Sequence, residues 1–243
     1  MSSDTQTHIQ VGGVAVLKTT AAELATSLLT QRQMGKQATL FFANTNFVVQ
    51  CRTLRAQMGQ DGINIVNDGI GMDIAARLMQ GERFKENLNG TDFVPYLFRR
   101  AARPLKIFML GGKPVVLQQA ARFAAQQLGQ EVVGTCDGYQ GIKTHTQLVD
   151  AINRSQADVL LVALGNPIQE KWILDHRQNL NVPILAGVGA LFDFWAGNKP
   201  RAPLLVQKMR MEWFYRLCLE PKRLLRRYTV DIVKFLKYCH QHR

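Results

Sequence analysis

A chain of 243 residues with 47% hydrophobic content is long enough for one large cored domain, or one domain with an appendage. Its mean hydropathy of −0.09 is that of a soluble protein, and no apolar run approaches the ~20 residues that span a bilayer. The net charge of +12 is unevenly placed: residues 194–243 hold 12 Lys and Arg against 3 Asp and Glu, a surplus of +9, which points to phosphate in nucleic acid, lipid headgroups or a pyrophosphate, the bland alternative being a solvated basic tail.

The first ten residues, MSSDTQTHIQ, have neither a basic start nor an apolar stretch, so no signal peptide is expected. Cys51, Cys136, Cys218 and Cys239 lie far apart, form no CxxC pair, and are expected to be reduced thiols. Residues 11–17 predict a short strand or hairpin arm with glycines at a turn. Leu24, Leu28 and Leu29 recur at helical spacing and predict a helix over 21–34. Apolar runs at 39–43 and 63–66 predict strands, the first ending in Asn44-Thr45-Asn46 and the second in Asn67-Asp68-Gly69-Ile70-Gly71. A helix over 72–79 ends near Gly81, residues 82–92 form a polar connection, and 93–102 return to helix.

A third strand is expected over 105–110. Gly111-Gly112-Lys113 breaks it, and Pro114 suits the first turn of a helix reaching residue 128. A strand at 131–135 and a helix at 145–155 follow. Residues 159–164 (VLLVAL) are apolar throughout, as in a strand buried on both faces. Gly165-Asn166-Pro167 leads into a helix over 168–178, and a sixth strand at 183–186 closes with Gly187-Val188-Gly189. This alternation predicts an α/β fold: a doubly wound, Rossmann-like, mostly parallel sheet over residues 1–193. A composition shift near Phe194 marks a C-terminal appendage, residues 194–243.

In such sheets ligands lie outside the carboxyl ends of the strands, which selects Thr45, Asn46, Asp68, Gly111, Gly112, Lys113, Gly165, Asn166 and Gln169 for attention. Gly69-x-Gly71 and Gly187-x-Gly189 lack the third glycine of a dinucleotide fingerprint; glycines there commonly mark tight turns. Asp68 suits either a helix N-cap or a general base at the rim of a ligand crevice. Gly111-Gly112-Lys113 before a helix offers backbone N–H groups and a cation to phosphate, or serves as a structural turn. The histidines His8, His145, His176, His240 and His242 have no metal-building spacing, and there is no Asp-x-Asp to chelate a cation onto a nucleotide diphosphate, so no metal or other cofactor is expected. Leaving-group charge would then fall to arginine.

The glycine-rich turn at 187–198 carries one acid, Asp193, and runs into segments dense in arginine and aromatic residues. At 100° per residue, a helix from Pro221 gathers Arg223, Arg226, Arg227, Lys234 and Lys237 on one side and Leu224, Leu225, Tyr228, Ile232, Phe235 and Leu236 on the other. It would either pack on its own core with a wet basic face or lie in a membrane interface, where Trp213, Phe214 and Tyr215 would also fit.

Several blocks resemble the WecG/TagA/CpsF family of bacterial glycosyltransferases: VNDGIGMDIAARL (66–78), NGTDF (89–93), IFMLGGKP (107–114), ADVLLVALGNPIQEKWI (157–173), GVGALFDFWAGNKPRAP (187–203) and EWFYRLCLEPKRLLRR (212–227). The resemblance covers nearly the whole chain in order. It implies transfer of a sugar from a UDP-sugar to a polyprenyl-diphosphate-linked saccharide at the cytoplasmic membrane face, with inversion and without a metal. It implies catalytic roles for Asp68 as base in the (A/N)DG motif, Arg83 in the ER motif near the phosphates, and Gln169 in GxPxQE. Thr45 (or Asn44) and Asn46 match the family's TxN strand end, and Arg216, Arg223 and Arg226 or Arg227 match appendage arginines that fold over the site. On this reading residues 1–193 bind the nucleotide sugar and residues 194–243 associate with an anionic membrane surface. The donor sugar (glucose, N-acetylmannosamine or its uronic acid) and self-association stay open.

Two other functions are consistent with parts of the chain. A basic nucleic-acid-binding protein fits the charge, but no nucleic-acid motif is present. A nucleotide-dependent oxidoreductase fits the sheet but lacks its fingerprint.

Overall fold

The computed structural model describes residues 7–138, 145–199 and 232–242, together with Tyr215, Leu217 and Thr229. The chain opens on an antiparallel hairpin of β1 (His8–Val11) and β2 (Val14–Leu17). Helix α1 (Ala21–Gln33) starts with a capping box: Thr20 Oγ1 accepts from Glu23 N at 3.2 Å, and Glu23 Oε2 accepts from Thr20 N at 2.9 Å.

Six strands then form one sheet: β3 (Ala38–Ala43), β4 (Ile63–Asn67), β5 (Lys106–Gly111), β6 (Glu131–Cys136), β7 (Val159–Ala163) and β8 (Ile184–Gly187). Their order is β4-β3-β8-β7-β5-β6, and every pairing is parallel. This bears out the doubly wound Rossmann-like sheet. All of β3 and β8 is buried, as central parallel strands covered on both faces must be.

Between the strands lie α2 (Thr45–Gln50), α3 (Arg55–Met58), α4 (Ile70–Gln80), α5 (Gly90–Arg100), α6 (Pro114–Gln126), α7 (His145–Arg154) and α8 (Ile168–His176), and α9 (Leu191–Trp195) follows β8. The core divides across the sheet. One side collects apolar residues of the hairpin, α2, α4, α7 and α8, including Phe47, Met72, Ile152 and Ile173. The other collects those of α1, α5, α6 and α9, including Leu28, Phe93, Leu117 and Phe192.

Some elements differ from expectation for local reasons. Helix α2, a stretch to which the sequence reading assigns no element beyond the strand end at Asn44-Thr45-Asn46, forms because Asn44 Oδ1 accepts from Asn46 N (3.0 Å) and Phe47 N (3.1 Å) and so caps it. Helix α5 starts at Gly90 because Asn89 caps it through Asp92 N at 2.9 Å. Asp68 is not a helix N-cap: α4 begins after Gly69, whose φ is +94°, a conformation that suits glycine. Helix α9 crosses the 193/194 position, with Trp195 buried beside Phe98 and Phe123.

The C-terminal helix Ile232–Gln241 packs on α2 and α4. Phe235 is 1% exposed and joins the core, as does Cys239, while Lys234 and Lys237 face outward. Of the two readings of its apolar face, packing on the protein's own core is the one observed for these residues. Pro221 and the residues at 223–228 lie outside the described residues, as do Trp213, Phe214 and Cys218.

Candidate active site

The register aligns the strand ends. Ala43 pairs with Asn67, Gly111 with Ala163, and Val162 with Gly187, so the residues that follow them leave the sheet along one edge. A cleft of about 860 Å³ runs along that edge. It is lined by Asn44, Asn46, Asp68, Gly112, Lys113, Gly165, Asn166, Gln169, Gly189 and Asp193, with Asn89, Gly90 and Thr91 from the start of α5.

Asp68 is set at the rim by its backbone. Its N–H donates to Ala43 O at 2.7 Å, extending the β3–β4 ladder by one residue. The next N–H, of Gly69, donates to Asn87 Oδ1 at 2.6 Å. Asn87 comes from the polar connection after α4, so a residue with no sequence signal of its own fixes the turn that presents the acid. The Asp68 side chain is half-buried.

Across the cleft, Gln169 ties two turns together. Its Oε1 accepts from Gly189 N at 3.0 Å and Gly165 N at 3.3 Å, and its Nε2 donates to Glu170 Oε1 at 2.7 Å. Gln169 is only 3% exposed. Its oxygen therefore organises the loops after β7 and β8. Gly187 leaves it room: a Cβ there would stand 3.1 Å from Gln169 Nε2. Asn166 Nδ2 also donates to Glu170 Oε1, at 2.6 Å, and its own Oδ1 takes a long contact from Asn46 Nδ2 at 3.5 Å.

Gly112 and Lys113 meet the cleft at the start of α6, with Lys113 as N-cap and Pro114 in the first turn. Gly111 does not line it. Gly111 has φ +119°, and a Cβ there would overlap the Ala163 carbonyl oxygen, so this glycine is required by β7. Thr45 also stays outside the lining: its Cγ2 fills the space beside Gly71 in the first turn of α4. Arg83 is exposed, away from the lining. Asp193 accepts from Lys199 Nζ at 3.4 Å. Arg216, Arg223, Arg226 and Arg227 lie outside the described residues.

Among the described lining residues the charged groups are Asp68, Asp193 and Lys113. The described residues contain no group of three His, Cys, Asp or Glu placed to hold a metal ion. The cleft thus offers a carboxylate at a strand end, a ring of amides and glycine N–H groups, and one lysine at a helix N-terminus.

A family model described as glycosyl transferase WecG/TagA/CpsF family matches residues 9–243. The chain belongs to the WecG/TagA/CpsF family. As a member, it is a glycosyltransferase of cell-surface polysaccharide biosynthesis, acting on a sugar donor and an acceptor. The motif blocks of this WecG/TagA/CpsF protein fall where the sheet's carboxyl edge gathers them: Asp68 after β4, Lys113 after β5, Asn166 and Gln169 after β7, and Asp193 after β8. Sequence reasoning missed Asn87, Asn89 and Glu170. An asparagine three residues before Asp92 was a readable capping signal; the partners of Asn87 and Glu170 are set by tertiary contacts alone. No helix among the described residues is long and apolar enough to cross a membrane.

Proposed function

We propose that the enzyme transfers a hexose or N-acetylhexosamine (glucose, N-acetylmannosamine or its uronic acid) from a UDP-sugar to a polyprenyl-diphosphate-linked saccharide. The anomeric centre inverts and no metal takes part. The observation that carries this reading is the position of Asp68, a carboxylate at the strand-end rim of a cleft whose lining also holds amides, glycine turns, Lys113 and Asp193.

Asp68 takes the proton from the acceptor hydroxyl as its oxygen attacks the anomeric carbon. The bond between that carbon and the UDP phosphate oxygen breaks, and UDP leaves with the electron pair. Negative charge grows on the diphosphate, where preorganised donors count most. Lys113 and the N-terminus of α6 supply part of that stabilisation. The described lining holds two carboxylates against one lysine, so further cations are needed. Arg83, on the connection after α4, and the appendage residues Arg216, Arg223, Arg226 and Arg227 are the proposed source, the latter brought over the cleft by residues 194–243 on an anionic membrane surface. Gln169 contributes by holding the Gly165 and Gly189 turns in place.

The test is a panel of UDP-sugars presented with a short-chain polyprenyl-diphosphate-linked sugar. One donor is expected to give a lengthened lipid-linked saccharide with stoichiometric UDP. Release of no UDP from any donor, with UDP itself failing to bind, would remove the reading.

A further inference from the structure

Glu170 lies directly behind the cleft wall, is 0% exposed, and uses one oxygen for two partners: Oε1 accepts from Gln169 Nε2 at 2.7 Å and from Asn166 Nδ2 at 2.6 Å. The second oxygen, Oε2, is buried with no hydrogen-bond partner. Among the described residues the titratable group facing the carboxyl is the Cys51 thiol, at the end of α2, and no cation stands in an ion pair with it.

This geometry fits a neutral acid better than a carboxylate. An ionised group would leave Oε2 buried with no cation and no hydrogen bond among the described residues, a cost of several kcal/mol. A protonated group keeps a carbonyl at Oε1 for both amides and turns a hydroxyl at Oε2 toward the soft sulfur. Burial pushes the Glu170 carboxyl above the usual carboxylate range, its hydrogen bonds opposing this only in part, and burial likewise pushes the Cys51 thiol up.

We propose that Glu170 is a positioning residue that acts as an uncharged double acceptor, fixing which way the Asn166 and Gln169 amides point and so the shape of the cleft wall. With both NH₂ groups turned back to Glu170, Gln169 presents its oxygen to the Gly165 and Gly189 N–H groups, and Asn166 presents its oxygen to the cleft. An amide flip at either residue would set its oxygen against Glu170 Oε1, acceptor against acceptor, and at Gln169 would also set its NH₂ against the Gly165 and Gly189 N–H donors. A neutral acceptor also keeps a third negative charge away from a cleft that already carries Asp68 and Asp193 and that, on the reading proposed above, must admit a diphosphate.

The test compares two substitutions that separate shape from charge. Glu170→Gln keeps a carbonyl oxygen at the same reach without a charge. Glu170→Asp keeps the carboxyl but withdraws it by one methylene. On ¹⁵N-labelled protein, the side-chain amide signals of Asn166 and Gln169 report the hydrogen bonds without reference to activity. The proposal expects Gln169 amide exchange to stay within about threefold of wild type in Glu170→Gln, and to quicken by tenfold or more in Glu170→Asp. The reverse pattern, or the same result in both variants, overturns it. If Glu170→Asp does not fold, Glu170→Gln alone decides, since faster exchange there would contradict an uncharged acceptor. A second arm measures UDP-sugar turnover: Glu170→Gln should keep kcat/KM within about threefold and Glu170→Asp should lose it mainly through KM. Absence of turnover by the wild type would count against the proposed reaction and leave the amide readout intact.

Discussion

A buried glutamate is a poor place for a charge, and Glu170 makes the consequence measurable. Its pKa in the folded protein is raised, chiefly by burial, above the ordinary value of 4.5. The folded state therefore holds the proton more tightly than the unfolded state. The stabilisation from the neutral form is fully present below about pH 4.5 and is lost as pH rises through the folded value. Relative to Glu170→Gln, which cannot ionise, the wild type should lose stability as pH rises from about 4.5, by at most about 1.4 kcal/mol per pH unit. Urea unfolding of both proteins across that range checks the sign. A difference independent of pH would show that the carboxyl titrates alike in both states.

At the scale of the element, the C-terminal helix is the case where pattern and partner came apart. Its amphipathic spacing was readable, but the same spacing suits a membrane surface or a protein core, and only the contact decides. Phe235 and Cys239 enter the core beside the hairpin and α2, and Arg55 lies over the Tyr238 ring at 5.1 Å. Phe235→Ala should therefore cost about 3 kcal/mol or more in urea unfolding, with faster amide exchange in residues 232–241. Unchanged stability with unchanged exchange would mean the helix is held by something else. The sheet was legible because β7 and β8 read as unbroken apolar runs, which is what a strand covered on both faces requires. The short helices α2 and α3 were not, because four to six residues carry too little periodicity. In the cleft, Asp68, Lys113 and Gln169 were legible as strand-end residues. That Gly111 serves β7, that Thr45 packs under α4 and that Gln169 staples two turns follow from distances between segments far apart in sequence.

Across the whole molecule the charge is divided. The described cleft lining holds two acids and one lysine, while the last 50 residues carry a surplus of +9. An enzyme that handles a diphosphate must bring those together, and the proposed arrangement does so when the basic tail meets the cleft at an anionic membrane surface. The part of the tail at 232–241 anchors to the core through Phe235 and Cys239 and leaves Lys234 and Lys237 exposed. Closing the cleft in this way would also keep water from the donor. All of this depends on a base at the rim. The most direct test is the single substitution Asp68→Asn, assayed with the donor and lipid-linked acceptor that the wild type accepts. The account predicts a fall in kcat of about 10²–10⁴-fold with UDP binding unchanged; kcat equal to that of the wild type would contradict it.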